Sequence, residues 1–187
     1  YNLSKYVEDG YGKHIYVSQA DLSAFRDESD FSPSEKQKIV LKSLLLLAYI
    51  NKHLEKIRRR ENGLYHRPLL LTLVNSVDVE NSDLQLFFAE LEKIAKNGIK
   101  AGLLNQAKDA LIKQFSEHNR FEFEDVNLSI DAKLLSKMDY GDVLKYVLNS
   151  SKPGNIEVLK IPGNRNELVF KLTTANKPFA LIKIGDI

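Results

Sequence analysis

Apolar residues recur along the first half of the chain at the spacing of one helical face: Ile39, Val40, Leu44, Leu47, Ile50, Leu54 and Ile57. Ser32-Pro33-Ser34-Glu35 opens this run. Ser32 can cap, Pro33 falls at the first helical position, where its missing N–H has no partner to lose, and Glu35 can reach back in a capping box. The pattern predicts a helix from about Pro33 to near Glu61, stopped at Asn62-Gly63. Residues 1–10, YNLSKYVEDG, read as a short helix closed by Gly10, and HIYVS at 14–18 alternates like a short strand or an extended linker.

The pattern then changes. Pro68 opens LLLTLVN, 69–75, a near-continuous apolar run of the kind that fills a strand buried on both faces of a parallel sheet. A helix is predicted next from about Asn81 to Asn97, with Leu84, Phe87, Phe88, Leu91 and Ile94 as its core face and Gly98 as its stop. Helix, buried strand, helix is the rhythm of an α/β layer. Leu103–His118 reads as helical, FEFEDVNLSI as strand-like or irregular, and 131–149 as two short helices broken near Asp139-Tyr140-Gly141. The last segment is β-rich: IEVLKI (156–161), ELVFKL (167–172) and FALIKI (179–184), with Pro162-Gly163-Asn164 and Asn176-Lys177-Pro178 as turn chemistry between them. Short β-prone runs joined by such turns predict an antiparallel β-meander.

Composition adds bounds to this picture. A chain of 187 residues that is 43% hydrophobic can bury a substantial core and fits one domain of ordinary size, or one domain with an inserted subdomain. Its 27 Lys and Arg nearly balance 25 Asp and Glu, so the net charge of +2 neither favours nor excludes nucleic acid. With no cysteine there are no disulfides and no thiolate metal sites, which fits a cytoplasmic location. No apolar run reaches the roughly 18 residues of a spanning helix, and no signal peptide is visible. The chain opens on Tyr1, has Met138 as its single methionine, and closes on Ile187 straight after an apolar run, so it reads as a piece of a longer protein.

Catalytic motifs are incomplete. Gly10-Tyr11-Gly12-Lys13-His14 is the nearest approach to a phosphate-binding loop, G-x-x-x-x-G-K-S/T, but it lacks the first glycine and has His14 where a magnesium-binding hydroxyl belongs. A plain linker turn is the reading adopted for it. There is no acidic box to hold magnesium. The four histidines, at 14, 53, 66 and 118, form no H-x-x-x-H pair, so no metal site is expected. Asp125, Asp131 and Lys133 make a weak metal-nuclease pattern; the same residues also read as the polar start of a helix, with Asp131 near its cap. The densest basic cluster is Lys52, Lys56, Arg58, Arg59 and Arg60, continued by His66 and Arg67. Positive charge there complements the C-terminal end of a helix dipole, or else forms a phosphate-contacting edge.

Three segments together resemble one family, the ATP-dependent superfamily 2 (DEAD/DEAH-type) helicases of the type III restriction enzyme Res-subunit class. Tyr1-Asn2-Leu3 with Val7-Glu8-Asp9-Gly10 is similar to the helix that ends the first motor domain in that class. Arg67-Pro68-Leu69-Leu70-Leu71-Thr72-Leu73-Val74-Asn75-Ser76 resembles its motif IV strand, which begins the second motor domain. Phe179–Asp186 is similar to a strand that precedes the later motifs. The match runs through most of the chain, although 101–155 aligns with nothing functional.

The resemblance implies an α/β architecture: a partial RecA-like second motor lobe of long helix, buried strand and helix, with a mostly helical insertion and a C-terminal antiparallel β-meander. The expected divisions are 1–31 as interdomain linker, 32–100 as the start of the second lobe, 101–155 as the insertion and 156–187 as the meander. In such motors the loop after the motif IV strand faces the nucleic-acid backbone. Asn75 and Ser76, with Arg58, Arg59 and Arg60, are therefore the candidate DNA contacts, against the plainer reading that Asn75 and Ser76 end a strand and begin a turn. ATP and Mg are implied for the full-length protein and no cofactor for this fragment. The implied partners are DNA, through its backbone, and the remaining motor lobes of the same chain, with no membrane. The function expected is a non-catalytic part of an ATP-driven DNA helicase or translocase, such as the motor subunit of a restriction-modification system. A scaffold or interaction domain and a metal-dependent nuclease are the alternatives.

Overall fold

The computed structural model describes residues 3–9, 33–60, 68–72, 83–120, 127 and 129–183. The helices are α1 (Leu3–Glu8), α2 (Pro33–Arg60), α3 (Asp83–Asn97), α4 (Ala101–Glu117), α5 (Ala132–Ser136) and α6 (Tyr140–Tyr146). They precede three strands, β1 (Ile156–Lys160), β2 (Glu167–Leu172) and β3 (Ala180–Lys183). The chain is mixed α/β, and its helix boundaries follow the apolar periodicity to within a few residues.

Helix α2 is the centre of the core. Leu41, Leu45 and Ala48, at helical spacing on one face, are fully buried. They meet Leu104, Ala107, Leu111 and Phe115 of α4, a second stripe at helical spacing, and Val143 and Leu144 of α6. Ala48 and Ala107 have no exposed surface, and residues so small let helix backbones approach closely. Each leucine buried in this way contributes about 1.5–3 kcal/mol over an exposed one. The same apolar cluster takes in Leu91, Ile94 and Ala95 of α3, Leu135 and Met138 around α5, and Leu172 of β2. Segments of very different sequence character thus share one core.

Two helix ends are met by tertiary partners. Lys108, only 9% exposed, reaches from α4 to the end of α5, where its Nζ donates to the carbonyls of Ser136 (3.0 Å) and Met138 (3.2 Å). Helix α3 stops at Gly98, whose φ of 78° suits a residue without a side chain. Its last carbonyls accept from elsewhere in the fold: the Tyr140 hydroxyl donates to Ile94 O at 2.8 Å, and Gly154 N donates to Ala95 O at 3.0 Å.

The sheet is antiparallel in the order β1-β2-β3, with Leu159 opposite Val169 and Val169 opposite Leu181. Gly163, at φ 80°, supplies the left-handed position of the first turn, and Asn164 accepts Asn166 N on its side chain at 3.0 Å. The meander is thus built as predicted. One face meets the helices through Phe170 and Leu172, with the Phe88 ring of α3 5.0 Å from that of Phe170.

The predicted buried strand is corrected over its described part. Pro68–Thr72 belongs to no strand; Leu69 is 85% exposed and Leu71 71% exposed, while Leu70 packs partly against the core. An interior strand of a parallel sheet needs a hydrogen-bonded neighbour on each edge, and none of the three described strands, which form one antiparallel sheet, pairs with this run. Residues 73–75, the rest of that run, lie outside the described residues, as do 10–32 with the phosphate-loop-like Gly10–His14 and the strand or linker at 14–18. Of FEFEDVNLSI, the described residues include Asn127, which forms an isolated antiparallel bridge with Arg120.

Candidate functional site

The apolar run between α2 and α3 has the most unusual surroundings of any described segment. Leu69 and Leu71 are exposed to solvent while Leu70 packs partly against the core, and the run pairs with no described strand. Two leucines in this state forgo about 1.5–3 kcal/mol each of burial. Leu69 and Leu71 are the two most exposed large apolar side chains among the described residues.

The basic end of α2 is less open than the sequence suggests. Lys52, the first member of the cluster, is held by Asp142 of α6, whose two carboxylate oxygens accept its Nζ at 2.7 Å each. Asp142 also closes a capping box with Asp139 at the start of α6. The adjoining turn of α2 holds both short helices: Asn51 donates to Tyr146 O of α6 at 3.0 Å, and the Tyr49 hydroxyl, its ring 4.4 Å from that of His53, accepts Asp131 N at the start of α5 at 3.0 Å. Lys52 thus ties α2 to the start of α6. Arg58, Arg59 and Arg60 form the last turn of α2, and their side chains lie outside the described residues, as do Asn75 and Ser76 altogether.

The nuclease-like triplet resolves as a helix start at its described members. Asp131 Oδ1 accepts the backbone N–H groups of Lys133 (2.9 Å) and Leu134 (3.1 Å), which is N-capping geometry. Asp125 lies outside the described residues. Among the described residues no three His, Asp or Glu side chains gather closely enough to hold a metal ion, and no helix is long and apolar enough to cross a membrane.

Two features escaped sequence reasoning. Tyr140 bridges α6 to the end of α3, donating to Ile94 O and, at 3.3 Å, to Ala95 O; burial of its phenol raises its pKa above the ordinary value of 10.0. The aromatic residue beside a predicted helix break was the available signal, but its partners lie some 45 residues away in sequence. The second is the outer face of the meander. There the register aligns Leu159 (41% exposed), Val169 and Leu181 (57% exposed) in one row across three strands. Charged pairs flank the row, with Glu157 and Lys171 3.4 Å apart on one side and Glu167 opposite Lys183 on the other. Turn positions and alternation together encode that row, so it was legible in principle.

Compared with models of known protein families, with curated proteins and with solved structures, the chain matches none.

Proposed function

We propose that this chain is a non-catalytic part of an ATP-driven DNA translocase or helicase, carrying the start of a RecA-like second motor lobe. The observation that carries the reading is the run Leu69–Leu71. A short apolar run that exposes Leu69 and Leu71 between two helices would gain burial if its sheet neighbours came from other parts of the motor, which supports this reading. The motif-like residues from Arg67 to Ser76 coincide with that run. In this reading Asn75 and Ser76, with Arg58–Arg60 at the end of α2, contact the DNA backbone, while ATP and magnesium are handled by the remaining lobes.

Hydrogen exchange tests the central element. The amides of Leu69–Thr72 exchange fast in this chain and become protected when it is joined to a first motor lobe and the rest of the second. Equal, rapid exchange in both forms would sink the motor reading. A DNA titration tests the contact residues: binding is weak and sequence-independent, fades as salt rises, and weakens further when Arg58, Arg59 and Arg60 are changed to Gln. Binding indifferent to salt and to these changes removes the arginines from the proposed contacts.

A second reading, an interaction or scaffold domain without a nucleic-acid role, draws on the row Leu159–Val169–Leu181, an exposed apolar strip on a well-formed sheet. Unprotected Leu69–Thr72 amides in the joined protein, together with no DNA binding, favour this reading over the motor.

A further inference from the structure

We draw no further inference here: the strongest candidate, the outer face of the three-stranded sheet where Leu159, Val169 and Leu181 line up between two charged pairs, is an unpartnered apolar face, and nothing in the structure shows what covers it.

Discussion

Two stretches of this chain look alike as sequence and differ completely as structure. LLLT (69–72) and ELVFKL (167–172) are both mostly apolar, and each opens directly after a turn-forming residue, Pro68 and Asn166. The second is the middle strand of a sheet, with Phe170 and Leu172 buried; the first is unpaired among the described strands and exposes Leu69 and Leu71. The difference is one of where partners lie. Strand β2 finds β1 and β3 within a few residues on either side, across turns that need only Gly163 and a few polar residues. Antiparallel pairing of that kind closes short loops at little entropic cost. A parallel interior strand has no such local option, because each neighbour must arrive through a crossover of a dozen or more residues. Here α2 and α3 flank the run, and both are already engaged with the helical core.

The contrast can be broken most directly at its extremes. Leu172→Ala removes a fully buried side chain from the junction between sheet and helices, and should cost about 2–5 kcal/mol of stability in a urea titration. Leu69→Ser and Leu71→Ser should lie at the other end, within about 0.5 kcal/mol of the parent. A loss at Leu71 comparable with that at Leu172 would mean the run is packed after all, and the contrast would disappear.

Between these extremes, Gly154→Ala probes the clasp that seats the meander on the end of α3. A Cβ at residue 154 would stand 2.8 Å from both the Thr173 and Thr174 hydroxyl oxygens. Neither hydroxyl is loose. Thr173 Oγ1 accepts Asn155 N, and Thr174 Oγ1 donates to Lys152 O and lies 2.9 Å from Ser150 Oγ. The added methyl should therefore cost about 1–3 kcal/mol through overpacking, read as a lowered thermal midpoint. A neutral result would show the clasp to be pliant.

The smallest core effect should come from Tyr140→Phe. It removes one donor from carbonyls that retain Gly98 N or Gly154 N, at a cost of about 1 kcal/mol. Its signature is in the pH dependence. The folded-state pKa of Tyr140 lies above 10.0 because burial disfavours the phenolate, so its contribution is fully present below pH 10 and is lost as pH rises through the folded pKa. Stability of the parent should fall more steeply than that of Tyr140→Phe above pH 10. Parallel curves would detach the phenol from the end of α3.

Much of the fold was legible because its causes are local. The helix at 33–60 announces itself through Pro33 and the apolar stripe, the stop at Gly98 through its conformational freedom, and the meander through Pro162-Gly163-Asn164. The cap role of Asp131 was equally visible, since it involves N–H groups two and three residues away. The site was less legible. Lys52 reads as part of a basic edge until Asp142, 90 residues on, is seen to hold it. Leu69–Leu71 reads as a buried strand because apolarity records the wish to be covered and not the presence of a cover.

By itself, then, the amino-acid order determined which segments coil, which extend, where each stops and which faces are apolar, because these depend on side-chain spacing, caps and backbone freedom over a few residues. Tertiary structure alone decided which apolar faces found partners: α2 against α4 and α6, β2 between β1 and β3, and Leu69 and Leu71 with neither. The physical reason is that burial is a property of pairs of surfaces, and a sequence states only one member of each pair.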